Sequence, residues 1–228
     1  MSLSMWVLAI APIATLALFF YFKDIHKEPP KKLIKAIFLG AIVIFPVGIA
    51  ELVVENMGCT LSYSPLSRPS ILTAFIYAFL GIALIEEGAK FFVFYRYFWD
   101  DEDLDEFYDA LIYAVFVALG FAMVENIFYV YQHGAKVGMI RAVTAVPSHA
   151  LDGVAMGIPI GLAKFVYPER RGFLIPLGLI APIITHGVYD ALIIIQTTLS
   201  VILAILTVIV GWLLVPKIIR YTQSQKFS

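Results

Sequence analysis

The stretch FYDALIYAVFVALGFAMVENIFYVY, Phe107 to Tyr131, decides the fold class. Asp109 and Glu125 are its only ionisable groups apart from tyrosines, and no Pro interrupts it. It exceeds the ~20 predominantly apolar residues a helix needs to cross a bilayer. Ala110, Ala114, Ala118 and Ala122 recur at every fourth position and lead to Asn126. Small residues at that interval let helix backbones approach closely, which turns Asn126 toward protein rather than lipid. One membrane-spanning, tightly packed helix is therefore written into these residues.

Working outward, six further apolar stretches meet the length requirement, giving spans near 4–22, 33–54, 71–95, 107–131, 141–163, 173–195 and 198–215. Pro and charge clusters separate them: Pro29-Pro30 among the lysines from Lys23 to Lys32, Pro65 and Pro69, and Pro168 to Arg171. The break from Gln196 to Ser200 is short and weakly polar, so the count is seven, or eight, with a single bent element there as the alternative. Of 228 residues, 61% are hydrophobic and only 14% charged, with mean hydropathy +0.89. That balance describes an all-α, polytopic transmembrane helical bundle of one domain, residues 1–228. A net charge of −1 argues against nucleic acid as a partner. Cys59 is the single cysteine, which excludes an internal disulfide and a thiolate-rich metal site. No basic residue precedes Lys23, so the first segment reads as a retained span.

Lys and Arg distribution sets the expected orientation. Lys23, Lys27, Lys31, Lys32 and Lys35, then Lys164, Arg170 and Arg171, then Lys217, Arg220 and Lys226, all fall on one side of seven spans. The opposite loops carry Arg68, Lys136 and Arg141. The positive-inside rule then puts the N-terminus outside and the C-terminus in the cytoplasm of a multi-pass cell-membrane protein. The acidic run from Asp100 to Glu106 reads as a solvated loop, and His26 and His133 as ordinary loop residues.

Against this apolar background, charged and imidazole side chains recur on four spans: Glu86, Glu87 and Lys90; Glu125 with Asn126; His149 with Asp152; and His186 with Asp190. Each charge at the bilayer centre carries a penalty of ~2.5–3.5 kcal/mol on insertion scales, which marks such groups as functional. Glu86 and Lys90 are one turn apart and pair, leaving Glu87 free to act as a general base. Glu125 has no cation within a turn and calls for a metal or a histidine to compensate it. His186 and Asp190 share a face, the arrangement in which a carboxylate holds a metal-bound imidazole; His149 with Asp152 is a weaker version. His149 is followed by Gly153, Gly157 and Gly161, a second close-packing face. Glu125, His149 and His186 supply the three ligands of a hydrolytic zinc site, with cobalt or manganese as other fits. Measured along its span, Glu86 lies deeper than Glu125 and His149 if its helix begins at Ile71, which puts either that boundary or the helix's continuity in question. Buried Glu, His and Asp would also line an ion or proton path, so a transporter is the rival class.

In order, Glu86-Glu87-x-x-Lys90, Phe121-x-x-x-Glu125-Asn126 and the two later His motifs, with Lys23-Asp24 and Glu28-Pro29 before them, resemble the PrsW family of intramembrane proteases. That family is related to the CAAX prenyl endopeptidase and bacteriocin-immunity superfamily. The resemblance covers roughly residues 10 to 195. It implies an intramembrane endopeptidase cutting single-pass membrane proteins near the extracytoplasmic face, anti-sigma factors among them. It also implies catalytic roles for Glu86, Glu87 and His186; Lys90, Asn126 and Asp190, which stand in the same set of motifs, are taken as catalytic residues with them. The prenyl endopeptidases have His where this chain has Glu125 and Asn where it has Asp190, so metal-dependent and metal-free glutamate catalysis both stay open.

Overall fold

The computed structural model describes residues 1–56 and 69–225. Cys59, Pro65, Arg68 and Lys226 lie outside the described residues. Among the described residues seven helices are long and apolar enough to cross a membrane: α1 (Leu3–Lys23), α2 (Pro30–Val54), α3 (Ile71–Tyr97), α4 (Phe107–Val143), α5 (Ala145–Val166), α6 (Pro168–Ile195) and α7 (Thr198–Ser224). No strand occurs among the described residues. The chain is an integral membrane protein.

Local chemistry sets the helix ends. The side chains of Ser2 and Ser70 accept the backbone N–H groups of Met5 and Thr73, so α1 and α3 begin on capped donors. Pro30 opens α2, where its missing N–H is no loss. Thr197 and Ser200 cap one another at the start of α7, and Gln196 before them is left-handed, with φ 56°. A left-handed residue followed by a new cap separates two helices, so the last two spans are distinct elements. Helix α3 is continuous from Ile71 to Tyr97, with a wider π stretch at Tyr77–Ala83. The helix therefore does begin at Ile71 and runs unbroken through Glu86.

Helix α4 sits at the centre. From Phe107 to Ala122 every residue is buried, as expected of a helix apolar on all sides. Its neighbours approach on the small residues. A Cβ on Gly157 of α5 would stand 2.5 Å from the Cα of Leu111, and one on Gly40 of α2 would stand 2.0 Å from the carbonyl oxygen of Val117. The glycine stripe of α5, Gly153, Gly157 and Gly161, thus faces the Val115, Leu111 and Phe107 row of α4, beside the alanine stripe.

Two expectations are corrected here. Helix α4 is two helices joined at Gly134, whose φ of 79° breaks the helical path. The second piece folds back beside the first: a Cβ on Gly138 would meet the side chain of Val130 at 2.7 Å. Arg141 consequently sits within the bundle rather than in an outer loop. The run Asp100–Glu106 is also no freely solvated loop. Asp101 and Asp103 pair with Lys32 at 2.6 and 3.0 Å, Glu106 meets His26 at 2.9 Å, and Leu104 is buried.

Candidate active site

Just beyond the π stretch, α3 presents Glu86, Glu87 and Lys90 to the interior, all buried. The Lys90 ammonium lies 3.0 Å from Glu86 Oε2 and 2.7 Å from Glu87 Oε1, and 4.1 Å from the centre of the Phe121 ring. The expectation that Lys90 serves Glu86 alone is corrected: it bridges both carboxylates. At i+3 and i+4 both acids fall within reach of one long, flexible side chain.

Helix α6 brings His186 to the same point. Its Nδ1 is 2.7 Å from Glu87 Oε1, and its Nε2 is 3.2 Å from Asp190 Oδ2 and 4.0 Å from Glu86 Oε2. The approach depends on Gly187, where a Cβ would stand 2.8 Å from the ring of Phe79 in the π stretch. Asp152 is turned toward α6 rather than toward its own helix neighbour His149. The Thr185 hydroxyl donates to it at 2.6 Å, and its other oxygen is 3.8 Å from His186 Nδ1.

His149 on α5 completes the cluster. Its Nε2 is 2.8 Å from Glu125 Oε2, its Nδ1 is 3.4 Å from Lys90 Nζ, and its ring meets that of His186 edge-on at 5.3 Å. Glu125 is not left without a cation. Arg141 reaches back across the Gly134 turn and donates to Glu125 Oε2 at 2.6 Å and to Asn126 Oδ1 at 3.1 Å. Asn126 in turn donates to the carbonyl of Ala9 at 3.0 Å, which ties α4 to α1. A planar guanidinium suits such a forked contact.

Four groups, Glu86, Glu87, His149 and His186, offer ligand atoms that all lie within 4.8 Å of one another. This is not the trio expected from sequence: both glutamates of α3 join the two histidines, and Glu125 engages His149 from behind. Oxygen and imidazole donors without thiolate suit a divalent ion of the zinc type. Glu87 Oε2 is buried and has no hydrogen-bond partner among the described residues, an acceptor that a cation would satisfy. Beside the cluster lies a cavity of about 530 Å³, within the ~300–1,000 Å³ range of ligand pockets. Glu51, Glu86, Glu125, Asp152, Arg141 and His186 are among the side chains lining it; Glu87 and Lys90 are not. Three contributors were missed in the sequence. Asp152 was given to the wrong histidine, while Glu51 and Arg141 sit near span ends, where charge is unremarkable. Arg141 had one signal available, the helix-breaking Gly134 before it.

The profile of the "PrsW family intramembrane metalloprotease" matches residues 28–215. Among similar curated proteins is Protease PrsW of Geobacillus kaustophilus, 37% identical over 182 residues, covering 79% of this chain and 76% of that protein. Protease PrsW of Bacillus subtilis is 34% identical over 184 residues, covering 79% and 78%. Protease PrsW of Clostridioides difficile is 32% identical over 219 residues, covering 93% and 88%. No solved structure matches the chain.

Proposed function

The chain belongs to the PrsW family of intramembrane metalloproteases and is a peptidase, and from that premise we propose that it cuts single-pass membrane proteins near their extracytoplasmic face with a water activated beside Glu86. Peptidase membership displaces the transporter reading. The single observation that carries the proposal is the convergence of four buried donors, three of them on the wall of a cavity large enough for a stretch of peptide. Residues 1–228 act as one catalytic domain. The N-terminus faces outward and the C-terminus inward, in keeping with the Lys and Arg bias.

In this reading His149, His186 and Glu87 hold a zinc ion. A zinc ion held there would supply Lewis-acid activation of water, bringing its pKa to about 7, and of the scissile carbonyl. The roles within the glutamate pair follow access. Glu86 lines the cavity and Glu87 does not. A general base must touch the proton it removes, so Glu86 takes it from water and returns it to the leaving amine. This reverses the assignment that pairing alone had suggested from sequence. Lys90 holds both carboxylates in place. Asp190 and Glu125 orient the His186 and His149 rings, as carboxylates behind metal-bound imidazoles do. Arg141 and Asn126 fix Glu125. The substrate class, anti-sigma-factor-like single-pass proteins, is drawn from the family resemblance.

The test is cleavage of a transmembrane reporter by the purified chain, together with its metal content. Zinc-dependent new termini that disappear in His186→Ala are expected. Full activity after exhaustive chelation would instead leave glutamate catalysis without metal.

A further inference from the structure

Glu51, on the cavity wall, has no place in the mechanism above. Glu51 lies on α2, and Ile44, Val47, Gly48 and Glu51 form one helical face toward the cavity, at spacings of three and four residues. The other acids of the site are engaged: Glu86 and Glu87 with Lys90, Glu125 with Arg141, Asp152 with Thr185, and Asp190 with His186. The Glu51 carboxylate has no hydrogen bond or ion pair among the described residues. It does lie in the field of Glu86, Glu125 and Asp190, with Lys90 opposing them.

We propose that Glu51 is a specificity residue, which receives a lysine or arginine side chain of the substrate close to the bond that is cut. The inference rests on the proteolytic reading and names a substrate feature within it. Among the described residues five carboxylates, Glu51, Glu86, Glu125, Asp152 and Asp190, line the cavity, against the one guanidinium of Arg141. Neither one divalent ion nor protonation of both histidines cancels that excess, so the cavity favours a cationic guest. Among the five, only Glu51 is free to meet it. Its position is also suitable. It stands three positions before Val54, the last residue of α2, about 4.5 Å at the helical rise. At that depth basic side chains place their charge while their alkyl stems stay in apolar surroundings. The neighbouring wall residues Ile44, Val47 and Tyr77 would receive such a stem.

The experiment uses the purified full chain with zinc and a set of transmembrane reporters that differ only beside the cut bond, carrying Lys, Gln or Glu there. Wild type should cleave the Lys reporter at least about tenfold more efficiently than the Glu reporter, mainly through KM. Glu51→Gln should lose most of that preference. Glu51→Lys should reverse it, a gain that a merely misfolded variant could not show. Equal cleavage of the three reporters by wild type, or an unchanged Lys preference in Glu51→Gln, would overturn the inference while leaving the protease intact. Cleavage of none of the reporters by wild type would overturn the proteolytic reading and this inference with it.

Discussion

At the residue scale, Lys90 is the pivot of the site. It is fully buried and neutralises two carboxylates at once, so truncating it leaves both stranded. Lys90→Ala should therefore lower stability by about 3–5 kcal/mol, read as thermal unfolding in detergent. The two glutamates should separate by experiment. Glu86→Gln should reduce cleavage by about 10²–10⁴-fold while the chain still binds zinc, because only the base is lost. Glu87→Gln should lower the bound metal as well, measured by elemental analysis. Retention of full metal by Glu87→Gln together with loss by Glu86→Gln would swap their roles. A different residue governs the response to pH. Glu28, in the connection between α1 and α2, is buried and its hydroxyl partner is Tyr113. Burial, against the opposing hydrogen bonds of Tyr113 and Asp109 and with a smaller push from Asp24 and Asp103, raises its carboxyl from 4.5 to about 7. A raised value means that the folded chain holds the proton more tightly than the unfolded one. The stability this confers is complete below about pH 4.5 and is lost as pH rises through 7. Unfolding temperatures across that window should fall for wild type and flatten for Glu28→Gln.

At the scale of the elements, the contact between α4 and α5 sets how close His149 comes to α3. Gly157 permits the approach to Leu111 and has no room for a side chain. Gly157→Leu should destabilise by about 1–3 kcal/mol or more and also lower activity, since it displaces the helix that carries His149. Gly172 offers the contrast: a Cβ there meets nothing within 4 Å. Gly172→Ala should be neutral, or stabilise by up to about 1 kcal/mol through helix propensity. A comparable loss in both variants would mean that the two helices do not depend on this contact. The Gly134 turn works on the same scale. It folds the end of α4 back, and so delivers Arg141 to Glu125.

For the whole molecule, charge asymmetry and the path of the chain make one joint prediction. Reporter fusions after Lys32 and after Arg171 should both report cytoplasm, and a fusion after Gly134 the outside. A cytoplasmic signal at Gly134 would invert the bundle and put the cavity on the wrong side for the proposed cleavage. With the expected orientation, Glu51 and the Gly134 turn lie toward the outer face, and the Lys32–Asp101 pairing toward the inner one.

The amino-acid sequence by itself determined the membrane-spanning helical bundle and the residue types that gather in its candidate site. These depend on local quantities: run length, hydropathy, and the penalty of placing Glu86, Glu87, Glu125, His149 and His186 among apolar residues. The helical period also put His186 and Asp190 on one face, and the structure keeps them 3.2 Å apart. What tertiary structure alone decided is who meets whom. Periodicity ranks neighbours along one helix and says nothing of the rotation of another. Asp152 could be assigned to His149 by spacing, yet it faces Thr185 and His186. The compensation of Glu125 by Arg141 needed the chain to turn at Gly134 and return, a contact between residues sixteen apart that no single-helix argument reaches. Glu51 joined the cavity only because the close approach of α2 to α4 at Gly40 points that face inward. Backbone contact, through glycines whose partners lie far away in sequence, is the physical reason.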